Sequence, residues 1–194
     1  MKAICVFCGA NFNGDQMLVQ AIGQLAEIMV SRDITLVYGG GKVGVMGILA
    51  DAVLSRGGKT IGVIPQFLLD KEVGHTGLTE LHIVDSMHQR KQLMSDLCDS
   101  FIMLPGGFGT LEEFFEVLTW LQLGLHSHPV GILNVNGFYD LLLEQMDLMV
   151  KQKFLKPANR ALVLSSADAI ELVNLMDNIE IKPDEVWFRD RNLT

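Results

Sequence analysis

The chain has 194 residues, 49% of them apolar, a mean hydropathy of +0.31 and a net charge of −8. That length supports one domain with a substantial core, and the composition excludes disordered and fibrous classes. The acidic balance, with no basic run, argues against nucleic acid as a partner, and no stretch reaches the roughly 18 apolar residues of a membrane span.

MKAICVFC opens the chain as a first strand, 3–8, and not as a cleavable leader, so a cytoplasmic protein is expected. Cys5 and Cys8 spell C-x-x-C within it, but residues three apart on a strand point to opposite faces. With Cys98 they make an odd set, read as inert buried thiols and not as a disulfide, metal or redox site. A helical period follows over 15–31, then a strand at 34–38 (ITLVY), a helix at 44–56 and a strand at 60–64 (TIGVI). Next come a strand at 81–84 (LHIV), a helix at 87–97 and a strand at 100–104 (SFIML). A helix at 110–123, a strand at 130–133 (VGIL) and helices at 138–151 and 166–177 complete the pattern. Short β-branched runs alternating with helices predict a parallel sheet covered on both faces, a doubly wound α/β fold. One domain, 1–179, is expected, with a polar tail at 180–194.

Ligands of such folds collect outside the carboxyl ends of the strands. Three strand exits stand out: CGANFNG, YGGGKVGVMG and LPGGFGTLEE. In the second, Gly39, Gly40 and Gly41 lead towards a helix whose positive end would favour a phosphate. The run is neither a clean G-x-G-x-x-G nor a Walker A loop, and a tight packing turn is the competing reading. In the third, Pro105 ends the strand and Gly106, Gly107 and Gly109 free the backbone for an anion. Thr110 and Glu113 stand in capping-box spacing, yet a cap leaves the glycines and Glu112 without a purpose. A further segment, SMHQRKQLMSD, predicts a helix capped by Ser86 with Gln89, and sets Arg90 and Lys91 in its first turns. Cations there oppose the helix dipole, so either they are a solvated pair or they serve a site.

Together, YGGGKVGVMG, MHQRK and PGGFGTLEE, followed by TWLQLGLHSHPVGILN, resemble the LOG family. These are cytokinin riboside 5′-monophosphate phosphoribohydrolases, also labelled "lysine decarboxylase-like". The similarity runs from the first strand to about residue 165. It implies a Rossmann-like parallel sheet and a homodimer with sites at the interface. The reaction it implies hydrolyses a nucleoside 5′-monophosphate to free base and ribose 5-phosphate, without cofactor or metal. By position, Arg90 and Lys91 match the family's Arg-Lys pair. Gly107, Phe108, Gly109, Thr110, Leu111, Glu112 and Glu113 match its nucleotide-binding loop. Thr119 and Glu72 match further substrate contacts, and Arg90 and Glu113 are the expected catalytic pair. Where the family often has CGSS, this chain has Cys8-Gly9-Ala10-Asn11, which bears on substrate affinity and base preference. His128 replaces a common lysine.

N-glycosidic hydrolysis develops positive charge on the ribose while the 5′-phosphate stays negative, as glycoside hydrolysis passes through an oxocarbenium ion. A glycine turn for the phosphate and a carboxylate for the cation, on one segment, suit both ends. The alternative on the same fold is a non-catalytic carrier of nucleotide or molybdenum cofactor. An NAD-linked oxidoreductase lacks its fingerprint, and decarboxylation through pyridoxal phosphate would have only Lys91 placed for a Schiff base. Finally, Leu118, Trp120, Leu121, Leu123 and Leu125 span more than one stripe of a helix, as a dimer interface would require.

Overall fold

The computed structural model describes residues 1–71 and 74–181. In chain order the elements are β1 (Ala3–Phe7), α1 (Gln16–Ser31), β2 (Thr35–Tyr38), α2 (Gly44–Leu54), β3 (Thr60–Pro65) and the single turn α3 (Gln66–Leu69). They continue with β4 (Glu80–Val84), α4 (Met87–Asp96), β5 (Ser100–Met103), α5 (Phe108–Gln122) and β6 (Val130–Leu133). A 3₁₀ turn (Val135–Gly137), α6 (Asp140–Lys151), the short α7 (Pro157–Arg160), β7 (Val163–Ser166) and α8 (Ala169–Asn178) follow.

All seven strands pair in parallel, in the order β4-β3-β2-β1-β5-β6-β7. The expected Rossmann-like fold is therefore present. β1, β5 and β6 are apolar runs, with Ser100 the one hydroxyl, because helices cover both faces. Alternate side chains divide the core accordingly. Ile4, Val6, Leu36, Tyr38 and Ile102 pack beneath α1, α2 and α8, whereas Cys5, Phe7, Val37, Phe101 and Met103 pack beneath α4, α5 and α6. Cys5 and Cys8 thus lie in opposite layers, and all three thiols are buried and free. Burial pushes the Cys5 and Cys8 thiols well up, which keeps them protonated.

Local chemistry sets the helix starts. The Asp15 carboxylate accepts from the Met17 and Leu18 amides (2.8 and 3.4 Å), and the stripe Leu18, Ile22, Leu25, Met29 buries α1. Ser86 caps α4 through the Gln89 amide (3.2 Å), while the Gln89 side chain reaches back to the Asp85 amide (2.9 Å). The box is thus formed one residue wider than expected.

Two expectations need correction. Thr110 does not cap α5: the helix starts at Phe108 with Gly107 as its cap, and Thr110 is buried inside the first turn. And the helix expected at 166–177 starts later, after a strand that was not expected at Val163–Ser166. That strand is β7, at a half-exposed edge of the sheet, and α8 starts only at Ala169 behind the Asp168 cap, whose carboxylate accepts from the Glu171 amide at 2.8 Å. Beyond Ile181 the expected tail lies outside the described residues.

Candidate active site

The strand order reverses between β1 and β5, and the crevice at this switch point lies where the chain leaves both strands. Their seam extends beyond the sheet. The Leu104 amide donates to Phe7 (2.9 Å) and the Gly9 amide to Pro105 (3.2 Å), and the Val45 amide reaches Gly9 (3.0 Å). Gly106 sits where these turns touch, since a Cβ there would come within 2.1 Å of the Thr110 hydroxyl and 2.9 Å of the Gly9 nitrogen.

A cavity of about 290 Å³ opens here. Val6, Cys8, Ala10 and Asn11 form one wall, Gly39 and Met46 a second, and Met87 and Arg90 of α4 a third. The fourth wall is the start of α5, with Gly107, Gly109, Thr110, Glu112 and Glu113. No side chain caps α5, so its first amides carry no intrahelical partner and its positive dipole end faces the cavity. Gly107 and Gly109 have open space where a Cβ would be, so neighbouring atoms of this chain do not demand glycine there.

Arg90 is 8% exposed. Its Nε donates to the Val63 carbonyl (3.1 Å) and Nη2 to the Gly39 carbonyl (3.2 Å), which fixes the guanidinium at the ends of β3 and β2. Nη1 lies 3.8 Å from the Met87 sulfur. Glu113, half-buried, is held in its protonated form to unusually high pH. Burial raises its pKa to about 7, with Arg90 opposing and the Glu112 charge adding to the rise. A carboxyl poised near neutrality beside a fixed cation is an arrangement suited to proton handling.

Not every expected residue joins this cavity. Lys91 binds Glu112 (2.6 Å) and Glu116 (2.9 Å), and so ties α4 to α5 outside the lining. Its partial burial lowers its pKa, but the bonds to Glu112 and Glu116 outweigh this and raise it. A charged, doubly paired ammonium is the opposite of the neutral amine a Schiff base needs. Gly40 and Gly41 are buried, with Gly40 accepting from the His75 amide (3.0 Å) and Gly41 from the Tyr38 hydroxyl (3.2 Å), and neither lines the cavity. Thr119 lies about three turns along α5, exposed, its hydroxyl donating to the Phe115 carbonyl (2.7 Å). Phe108 and Leu111 face a separate apolar hollow with Phe138 and Leu141. Glu72 lies outside the described residues. Met46 and Met87 were not singled out from sequence. Met87 stands one helical turn before Arg90, so helical period alone points to it. A second cavity of about 300 Å³ shares Asn11 with the first and is lined by Phe12, Leu18, Val45, Val135 and Phe138 together with the polar Asn13, Asp15 and Asn136.

The profile of a family described as "Possible lysine decarboxylase" matches residues 46–176. The chain is 45% identical over 185 residues to cytokinin riboside 5′-monophosphate phosphoribohydrolase LOG7 of Arabidopsis thaliana, covering 95% of this chain and 85% of the relative. The chain belongs to the LOG family. A second LOG relative, LOG5 of the same plant, is 43% identical over 190 residues, covering 98% and 83%. Among solved structures, the molybdenum cofactor binding protein of Rippkaea orientalis superposes with a TM-score of 0.66 at 20% identity, over 91% of this chain and 96% of that one. At that identity the likeness speaks for the shared fold alone. Of the LOG signature residues of this chain, from Gly106 to Glu113, Gly107, Gly109, Thr110, Glu112 and Glu113 wall the main cavity.

Proposed function

We propose that this protein hydrolyses the N-glycosidic bond of nucleoside 5′-monophosphates, with N6-prenylated (cytokinin) nucleotides as its preferred substrates. The observation that carries the reading is that Glu113 and the fixed Arg90 line one cavity, faced by the uncapped start of α5. The 5′-phosphate takes the α5 amides and the turn at Gly106–Gly107. Bond cleavage sends the C1′–N9 electron pair to the base, which leaves as it gains a proton. The ionised Glu113 stabilises the oxocarbenium ion and accepts a proton from the water that attacks C1′, giving ribose 5-phosphate; it then releases that proton to solvent, which balances the one the base takes from solvent. Arg90 holds the ribose or the departing base. Lys91 serves by fixing Glu112 and Glu116 and not by touching substrate.

The adjoining, mainly apolar cavity, which meets the first at Asn11, supports a base that carries an apolar substituent. Plain AMP would leave that space empty. The assay is release of base and ribose 5-phosphate from isopentenyladenosine monophosphate, AMP and adenosine. Cleavage of both nucleotides far above adenosine is expected, because phosphate binding is used at the reacting centre. Binding without release would instead indicate a carrier.

A homodimer is part of this reading. Leu118 and Trp120 pack on the chain's own core, so the support comes from exposed apolar residues beside the site: Phe108 (92% exposed), Leu141 (79%) and Phe138 (55%). No helix among the described residues is long and apolar enough to cross a membrane, and a cytoplasmic location fits a nucleotide substrate.

A further inference from the structure

Gly39 has no conformational need to be glycine, since its φ lies outside the left-handed region. Nor does its backbone neighbourhood exclude a side chain: the atoms nearest an added Cβ are all side-chain atoms. They are Arg90 Nη2 at 2.0 Å, Arg90 Cζ at 3.2 Å and the Met46 sulfur at 3.3 Å. The volume beside Gly39 is thus occupied by the guanidinium itself. The same residue supplies the carbonyl that Nη2 donates to, at 3.2 Å. One glycine therefore provides both the hydrogen-bond acceptor and the space for the cavity's buried cation.

We infer that Gly39 is a positioning residue for Arg90, setting where the guanidinium stands in the cavity, and that it does not hold phosphate. This rests on the phosphoribohydrolase reading for its kinetic consequences, but not for its steric ones. The physical asymmetry makes it testable. The obstacle to a methyl group at 39 is the far end of a flexible side chain, so the fold can yield by moving the arginine. The chemistry cannot, because a displacement of about 1 Å at a reacting centre costs on the order of 10²-fold in rate.

The experiment is a double-mutant cycle of Gly39→Ala and Arg90→Ala, read in turnover and in melting temperature. Gly39→Ala is expected to lower kcat about 10²-fold, by the same factor for AMP and for adenosine, since the change acts through Arg90 and leaves the phosphate grip alone. Added to Arg90→Ala, it should cost no further activity and no further stability, because the space is then empty. A kinetic loss that persists in the Arg90→Ala background, or that falls on AMP but not adenosine, overturns the inference and returns Gly39 to substrate binding. If Gly39→Ala fails to fold but the double variant folds, the steric coupling stands. If both fail, it falls. Wild-type turnover in Arg90→Ala alone would remove the catalytic reading of Arg90, and the positioning inference with it.

Discussion

Replacing Glu113 with Gln tests the site through two observables that should move in opposite directions. The carboxyl group titrates near pH 7 in the folded chain instead of near 4.5, because it is taken out of water, with Arg90 only partly compensating. A raised pKa means that the native state prefers the protonated acid. Its favourable contribution is complete below about pH 4.5 and is lost as pH rises through about 7. At 1.36 kcal/mol per pKa unit, the ionised side chain costs the native state up to about 3 kcal/mol above neutrality. Glutamine is nearly isosteric and does not titrate. The variant should therefore match the wild type in stability below about pH 4.5 and exceed it increasingly as pH rises to about 7, the difference levelling off above that. For a chain of this size the gain is at most about 10 °C in melting temperature. Turnover should fall by on the order of 10²-fold or more, since the charge facing the oxocarbenium ion is gone. In the wild type, kcat/KM should rise with pH through an apparent pKa near 7, the ionised form being the active one. Calorimetry from pH 4 to 9 at fixed ionic strength, with kinetics in the same buffers, reads both. A variant less stable than wild type at pH 8, or a stability difference that does not change with pH, would refute the reasoning.

Three other outcomes are expected. Gly107→Ala meets open space, so melting should be unchanged while kcat/KM for nucleotides drops at least tenfold; full activity would mean that no ligand approaches that backbone. Lys91→Met leaves the partly buried Glu116 without its cation and should destabilise by about 1–3 kcal/mol, measured by urea unfolding, with KM for AMP little changed. A large rise in KM would return Lys91 to substrate binding. Light scattering at micromolar concentration should give a dimer, and Leu141→Glu should weaken it; an active species at 21.4 kDa throughout would end the dimer reading.

The sheet was legible because its signals are local. ITLVY and SFIML declare strands by composition, and Asp15 and Ser86 cap helices through amides two or three residues away. β7 was lost because four residues at a half-exposed edge carry too short a pattern to separate from the helix that follows. The start of α5 was misplaced by two residues because glycines give no propensity signal, so the first capable residue, Thr110, was taken for the cap. The site residues were legible as types in a family pattern, but their tasks depend on distant partners. Lys91 meets Glu112 and Glu116 from another helix, and Arg90 meets Gly39 across 51 positions. No window along the sequence contains such pairs.

The hydrogen bonds that carry the β1–β5 seam past the strand ends have a consequence for motion. Most enzymes of this size admit substrate by letting a loop breathe, and loops open at small local free-energy cost. Here the Gly9 and Leu104 amides are bonded across the turns and continue the ladder of the two central strands. They should exchange with deuterium as slowly as the strand amides, on the timescale of global unfolding. The wall that carries Gly9 and Pro105 is therefore a fixed floor. Traffic of nucleotide, base and sugar phosphate should pass instead the rim where Met87 of α4 meets solvent.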